Sequence, residues 1–113
     1  MIVCVDHRDG VVVAQVVKRT IDASNAESFK ADMVSAMAAA RDGVILDLTE
    51  VDFVDSAGLG AIVGVYKKYG TRGMFTIVGV STGVERVFRL TRMDKIFEIR
   101  PSVEEALQSV VPA

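Results

Sequence analysis

The chain has 113 residues, of which 50% are hydrophobic, and a formal net charge of −2 at pH 7. These values predict a single domain over residues 1–113 and leave no room for a second. The single cysteine excludes an internal disulfide, the acidic balance argues against direct nucleic-acid binding, and the longest apolar run, residues 11–17, is too short to span a membrane. We therefore expect a cytoplasmic protein.

The first part of the chain predicts a hairpin followed by a helix. Residues 2–6 and 11–17 are rich in valine, and Asp9-Gly10 supplies the turn between them. Residues 24–27, Ser-Asn-Ala-Glu, have the pattern of a capping box, and Asp42-Gly43 closes the segment. Between them, five apolar residues share one helical face: Phe29, Met33, Ala36, Met37 and Ala40.

The second part predicts strands that alternate with helices. Residues 44–48 and 74–80 are expected as buried strands, joined by a helix from about residue 56 to 69 that Gly70 ends. Such a unit typically has parallel strands and a right-handed crossover. A third helix begins with a capping box at residues 82–85. A short strand follows at residues 96–99, and a last helix at residues 102–110. The predicted order is β-β-α-β-α-β-α-β-α, a mixed α/β fold, with fraying only in the last three residues.

Ser56 stands at the predicted start of the second helix, directly after Asp55. A helix N-terminus leaves backbone N–H groups unpaired and carries partial positive charge. A serine at this position can cap the helix, help to hold an anion, or accept a phosphoryl group. The position of the residue does not by itself choose among these roles.

The faces of this helix differ in side-chain size. Four residues are expected to face the sheet: Leu59, Ile62, Val63 and Tyr66. The opposite face is nearly bare and consists of Ala57, Ala61, Gly64 and Lys68. Glycine inside an exposed helix costs about 1 kcal/mol relative to alanine, and Gly58, Gly60 and Gly64 all lie here. Close packing within the domain and a smooth docking surface beside Ser56 remain two open explanations.

The acidic residues before this helix do not have the pattern of a metal site. These residues are Asp47, Glu50, Asp52 and Asp55. Their spacing lacks the alternating oxygen ligands and the central glycine of a calcium loop. A phosphoacceptor role for Asp47, as in receiver domains, would need an acidic pair after the first strand, where only Asp6 is present. We therefore expect no bound metal.

An enzyme is not expected either. The glycines that follow Ser56 invite a dinucleotide-binding interpretation, but Gly64 falls one residue too late for that motif. A hydrolytic serine would need a base, and the only histidine, His7, lies in the first hairpin. These observations argue against catalysis and against a nucleotide cofactor.

Residues 86–100 are net basic although the chain as a whole is acidic. The basic residues are Arg86, Arg89, Arg92, Lys95 and Arg100. A solvated helix face and a patch for an acidic partner both fit this pattern.

Residues 44–60 resemble the STAS-domain family, and specifically the small free-standing anti-sigma-factor antagonists of bacteria. They read V-I-L-D-L-T-E-V-D-F-V-D-S-A-G-L-G, which is similar to the family's strand, acidic loop and D-S-x-G-L helix start. The resemblance covers nearly the whole chain and implies a four- to five-stranded mixed sheet covered by helices mainly on one face. Ile21-Asp22 resembles the family's other acidic position, but Arg19 replaces the glycine expected three residues earlier. The conformation of that turn is therefore open.

The resemblance implies regulation by partner switching. The unphosphorylated antagonist binds a serine kinase that is also an anti-sigma factor, the kinase phosphorylates the serine after the aspartate, here Ser56, and a serine phosphatase reverses the reaction. The implied partner-binding residues are Asp22, Asp55, Ser56, Ala57, Gly58, Leu59, Gly60, Ala61 and Gly64. A monomer or weak homodimer is expected. The alternative is a STAS scaffold or small-ligand-sensing module of another signalling assembly, in which Ser56 only caps the helix.

Overall fold

A hairpin opens the fold, as predicted from the sequence. The computed structural model describes residues 2–70 and 72–110. Strand β1 (Val3–Arg8) pairs antiparallel with β2 (Val11–Val16), and the turn between them has Asp9 at φ 52° and Gly10 at φ 86°. Two consecutive positive φ angles give a turn whose twist matches that of the strands, and aspartate and glycine adopt them at low cost.

The remaining elements alternate between strands and helices. They are β3 (Thr20–Ile21), α1 (Ala26–Met37), β4 (Gly43–Asp47), β5 (Phe53–Val54), α2 (Ser56–Tyr69), β6 (Met74–Val78), α3 (Thr82–Leu90), a 3-10 helix (Met93–Lys95), β7 (Glu98–Arg100) and α4 (Val103–Val110). The predicted order of longer strands and helices is confirmed. The short strands β3 and β5 and the 3-10 helix were not predicted. The fraying predicted for residues 111–113 lies outside the described residues.

Five of the strands form a mixed sheet with the order β1-β2-β4-β6-β7. Only β1 is antiparallel to its neighbour, whereas β2, β4, β6 and β7 are parallel to one another. Because right-handed crossovers join strands that follow one another across the sheet, α1, α2 and α3 lie on the same face. This architecture is the mixed sheet that the sequence led us to expect.

The main hydrophobic core lies between the sheet and these three helices. Phe29 and Met33 of α1, Ile62 of α2 and Phe88 of α3 are all fully buried in it. The other face of the sheet is covered by α4, where a second cluster contains Val11, Val13, Ile45, Val78 and Ala106. The central strands are therefore buried on both faces, which explains their continuous apolar runs.

The carboxyl ends of the four parallel strands meet at one edge of the sheet. The segments that follow β2, β4 and β6 lead at this edge into the N-termini of α1, α2 and α3. Ligand and partner sites of open α/β sheets are typically found at such an edge. The predicted site before and within α2 therefore lies where the fold leaves helix N-termini accessible.

Candidate functional site

A separate two-stranded sheet brings the two acidic positions together. Strands β3 and β5 pair in parallel, with Ile21 opposite Val54. Asp22 and Asp55 directly follow this pair in the sequence, so the two aspartates lie side by side where the strands end. The sequence predicted that these acids share one site, and they are held together there by two strands that it did not predict.

Asp55 fastens the N-terminus of α2 to the segment after β3. Its Oδ1 accepts a hydrogen bond from the backbone N–H of Gly58 at 2.8 Å, and its Oδ2 accepts one from the N–H of Ala23 at 3.2 Å. Its own N–H donates to the carbonyl oxygen of Ile21 at 3.3 Å. Asp55 is therefore both the N-cap of α2 and the connection between the two acidic segments.

We expect Asp55→Ala to lower the free energy of unfolding by about 2 kcal/mol, because it removes the cap and the acceptor for Ala23. Asp52→Ala is the matched control. Asp52 forms an exposed ion pair with Arg19, which contributes at most about 1 kcal/mol. Urea unfolding of both variants measures the difference, and equal losses would contradict the assignment of Asp55 as the cap.

The hydroxyl of Ser56 is free for chemistry. Ser56 is exposed and is the first residue of α2. Within residues 2–70 and 72–110, its hydroxyl has no hydrogen-bond partner. The interpretation of Ser56 as the N-cap is therefore wrong, because the extended backbone of Asp55, with φ −89° and ψ −175°, places that carboxylate over the first turn instead.

Two residues predicted on the partner-binding surface lie beneath it. Gly58 and Ala61 are buried, so neither is exposed to a partner. Gly58 lies against β3, where an added Cβ would overlap the carbonyl oxygen of Ile21. Ala61 packs into the main core. For Gly58 and Ala61, close packing within the fold is the correct explanation of the small side chain.

The exposed part of the predicted surface is the outer side of the first turns of α2. Ala57 and Gly60 are exposed together with Ser56, while Leu59 and Gly64 are half-buried. The buried residues of α2 recur at helical spacing and are Gly58, Ala61, Ile62, Val65 and Tyr69. The buried stripe is thus rotated by about one residue from the predicted one, because β3 and α1 cover the side of α2 that was expected to face solvent.

Asp22 is held in place by hydroxyl groups of two residues close to it in the chain. The hydroxyl of Ser24 donates to Oδ1 at 2.6 Å, and that of Thr20 donates to Oδ2 at 2.9 Å. These hydrogen bonds, first from Ser24 and then from Thr20, hold the pKa of the Asp22 carboxyl below its ordinary value of 3.8. Asp22 therefore carries a negative charge beside the N-terminus of α2 at neutral pH.

The predicted capping box at residues 24–27 does not form, and its polar residues instead hold the loop around Asp22. Ser24 donates to that aspartate and not to the backbone of α1. The N-cap of α1 is Asn25, whose side chain makes no capping hydrogen bond. Its Oδ1 accepts from the N–H of Asp22, and its Nδ2 donates to the carbonyl of Thr20, both at 2.9 Å. Such local bonds from Ser and Asn compete with capping, and their clustering near an aspartate is the signal that could have indicated this loop.

Phe53 is a surface residue that the sequence did not indicate. It lies on β5, two residues before Asp55, and 52% of its surface is exposed. Large aromatic side chains exposed beside a site are typical binding anchors. Its exposure follows from the outward orientation of β5, which no local pattern predicts.

Arg19 is accommodated without a special backbone conformation. Its φ is negative, so the turn does not require glycine. Its carbonyl accepts a hydrogen bond from the N–H of Asp52 at 2.7 Å, and its Nε donates to the carboxylate of the same residue at 2.9 Å. Arg19 therefore supports the loop before β5 and adds an exposed positive charge near the two acids.

The acidic residues of the loop between β4 and β5 each contact a different partner. Asp47 accepts from the backbone N–H of Thr49 at 2.9 Å, while Asp52 pairs with Arg19. In the part of the chain that the structure describes, no group of three or more His, Cys, Asp or Glu side chains could hold a metal ion. This loop supports the site through hydrogen bonds instead.

The only histidine lies far from Ser56 in the fold. His7 is opposite Val12 in the hairpin, toward the amino ends of the parallel strands, whereas Ser56 lies at their carboxyl edge. It therefore cannot act as a base for the serine.

A membrane-spanning helix, long and apolar enough to cross a bilayer, is not found among residues 2–70 and 72–110.

Part of the basic stretch is a solvated face carrying ion pairs. Arg89 pairs with Glu85 at 2.6 Å, and Arg100 pairs with Glu98 at 2.9 Å. All four side chains are substantially exposed. The solvated interpretation of this stretch is therefore the better supported of the two.

Comparisons with known proteins agree with this fold. A family model described as the STAS domain matches residues 3–106, which include the whole site. The anti-sigma-B factor antagonist of Listeria monocytogenes is 38% identical over 63 residues, 53% of this chain and 55% of that protein. The crystal structure of an anti-sigma factor antagonist from Mycobacterium paratuberculosis has a TM-score of 0.86 at 30% identity, covering 96% of this chain and 92% of that chain.

Two further relatives align over only part of their sequences. Proteins from Thermotoga maritima and Thermotoga neapolitana are each 37% identical over 68 residues, or 59% of this chain. This chain therefore spans 60% of the length of those relatives.

Proposed function

The chain belongs to the STAS family, and from this premise we propose that it is an anti-sigma-factor antagonist switched by phosphorylation of Ser56. The unphosphorylated form binds a serine kinase that is also an anti-sigma factor and thereby releases the sigma factor. The kinase phosphorylates Ser56 with ATP, which dissociates the pair, and a serine phosphatase restores the first state. This exchange takes place in the cytoplasm.

One observation carries this proposal, namely the free hydroxyl at the start of α2. Ser56 is exposed at the edge of the sheet where partner sites are expected. The N-cap of α2 is Asp55, so the Ser56 hydroxyl is not used for capping. A kinase can therefore reach the hydroxyl without unfolding the helix. Modification of Ser56 likewise leaves the cap of α2 in place.

The chain supplies the phosphoryl acceptor, and the kinase supplies the remaining chemistry. The Ser56 oxygen attacks the γ-phosphorus of ATP, its proton passes to a base of the kinase, and ADP leaves. The distance between Ser56 and His7 in the fold supports the view that this chain contributes no base of its own. The magnesium ion and the nucleotide are accordingly bound by the kinase.

The free protein can accommodate the phosphate once it is formed. Within the described residues, the backbone N–H groups of Ser56 and Ala57 have no acceptor, whereas the N–H of Gly58 donates to the carboxylate of Asp55. Unpaired N–H groups and the positive end of a helix favour a bound phosphate. The switch therefore does not require a change of fold.

The partner-binding surface consists of the exposed first turns of α2 and their acidic border. Ser56, Ala57, Leu59 and Gly60 supply direct contacts, Asp22 and Asp55 border them, and Phe53 is a candidate anchor. Gly58 and Ala61 support this surface from beneath, and Gly64 extends it along α2. No atom of the described residues lies within 4 Å of a Cβ built at Gly60, so their packing does not require glycine there. A closely approaching partner backbone does.

Phosphorylation would weaken this contact through charge and hydration. It adds about 1.5 to 2 negative charges beside Asp22 and Asp55. Binding must then remove water from a phosphate that already lies among like charges. A tenfold loss of affinity needs only about 1.4 kcal/mol, which is small compared with such penalties.

We expect the protein to gain one phosphoryl group, on Ser56, when it is incubated with Mg-ATP and its cognate kinase. Intact-mass analysis with fragmentation locates the group, using candidate serine kinases encoded in the same genome. Ser56→Ala should remove the gain, whereas Ser28→Ala, at an exposed serine of α1, should retain it. Absence of phosphate with every active kinase, or phosphate at another residue, would contradict the proposal.

A further inference from the structure

A positively charged groove lies between α1 and α2. It has a volume of about 340 Å³ and is lined by Lys30, Val34, Gly64, Val65 and Lys68. Val65 is buried in its floor, and Val34 exposes 42% of its surface. In the part of the chain that the structure describes, neither lysine forms an ion pair. We call this feature the Lys30–Lys68 groove.

The groove continues the surface around Ser56. Residues four apart form a ridge that winds slowly around a helix, and Ser56, Gly60, Gly64 and Lys68 are spaced in this way. At a rise of 1.5 Å per residue, the ridge extends about 18 Å along α2. Its last two members line the groove, and its first is the proposed phosphoacceptor.

The two ends of this ridge carry opposite charges. Asp22 and Asp55 lie at the Ser56 end, and the two lysines lie at the other end. Glu27 is exposed one turn before Lys30 on α1 but forms no ion pair with it within the described residues. An otherwise acidic chain therefore has a basic groove along one side of its proposed docking surface.

We propose that the Lys30–Lys68 groove binds an acidic segment of the same kinase that docks at Ser56, an inference that rests on the proposed function. Charge complementarity selects this occupant, since the two lysines form no ion pair within residues 2–70 and 72–110 and the groove is continuous with the docking surface. Its apolar floor receives side chains between the charged groups of the segment. The opposite charges at the two ends then set the orientation of the kinase along α2.

Charge reversal in the groove is expected to slow association with the kinase. The double variant Lys30→Glu/Lys68→Glu should lower the association rate constant about tenfold at low salt, because complementary charges act mainly on the rate of encounter. The difference should shrink as the salt concentration rises. Stopped-flow kinetics with unphosphorylated protein and the purified kinase measure both effects.

The matched control is Arg41→Glu/Lys95→Glu, which changes the net charge by the same amount and lies before β4 and β7, at the amino edge of the parallel strands and away from Ser56. Both control residues are exposed, and neither lines the groove. We expect this variant to associate within about twofold of the wild-type rate, since its charges lie away from the docking surface. Thermal unfolding of both variants checks that they are folded.

Several results would overturn the inference. If the groove and control variants are slowed equally, the effect is one of net charge, and if neither is slowed, the groove does not contact the kinase. If the groove variant abolishes only self-association of the protein, the occupant is a second copy. Wild-type protein that binds and is phosphorylated on Ser56 preserves the proposed function in each case. If the wild type does neither, both proposals fail.

Discussion

Gly58→Ala is expected to lower the free energy of unfolding by about 2 kcal/mol, whereas Gly60→Ala should raise it by up to about 1 kcal/mol. Both substitutions add one methyl group to the first turns of α2. In an isolated helix, both would be stabilising by the same amount. The opposite signs follow from what surrounds each position in the fold.

At Gly58, the added carbon would overlap the carbonyl oxygen of Ile21 and lie 2.6 Å from the carbonyl carbon. These are backbone atoms of β3, and the same carbonyl accepts the N–H of Asp55. Relief of the overlap would move α2 away from β3 and strain that hydrogen bond. At Gly60, no atom of residues 2–70 and 72–110 lies within 4 Å of the added carbon, so only the gain in helix propensity remains.

Urea unfolding followed by circular dichroism measures both changes with one method. The pair also separates stability from partner binding. We expect Gly60→Ala to be folded and more stable, yet to bind the kinase less tightly, since its methyl group protrudes from the proposed contact surface. Two variants of equal stability would contradict the close approach of α2 to β3, and unchanged kinase binding by Gly60→Ala would remove that glycine from the contact.

The elements that could be predicted from the sequence are those with a strong local pattern. The hairpin turn depends on Asp9-Gly10, whose residue types suit two positive φ angles. The end of α2 depends in the same way on Gly70, at φ 67°. The longer parallel strands are buried on both faces and therefore appear as apolar runs.

The elements that were missed depend on distant contacts. Strands β3 and β5 have two residues each and pair with one another, across about thirty residues of chain. No periodicity can be recognised in two residues, so their pairing could not be predicted. Yet it is this pairing that places Asp22 and Asp55 side by side.

The interpretation of Ser56 as a cap placed the N-cap of α2 one residue too late. Asp55 and Ser56 are both good N-cap residues, and sequence alone cannot choose between neighbours of that kind. The tertiary structure decides, because Asp55 also accepts the N–H of Ala23 on the adjacent segment. That choice has a functional consequence, since it leaves the serine hydroxyl free.

The orientation of α2 was mispredicted for a similar reason. The helical wheel identifies an apolar face, but a small residue such as Ala61 fits either a buried or an exposed position. The packing of α1 and β3 against α2 determined which one it occupies. The spacing of apolar residues therefore could not predict that Gly58 is buried and Gly60 is exposed.

Ser56→Asp is expected to weaken binding to the kinase at least about tenfold, a loss of about 1.4 kcal/mol, while Ser56→Ala retains wild-type affinity. The aspartate introduces a negative charge where a phosphate would lie, beside Asp22 and Asp55. Isothermal titration calorimetry with the purified kinase measures both affinities. Ser35→Asp, at an exposed position of α1 away from α2, adds the same charge as a control and should bind normally.

This comparison is informative because neither change at Ser56 should unfold the protein. Asp55 caps α2, so loss of the Ser56 hydroxyl should alter the free energy of unfolding by less than about 0.5 kcal/mol. An aspartate in the first turn interacts favourably with the helix dipole, which offsets repulsion from the two neighbouring acids. A loss of binding by Ser56→Asp therefore reports on the contact itself. Equal affinities of the aspartate and alanine variants would show that charge at this position does not control the partner.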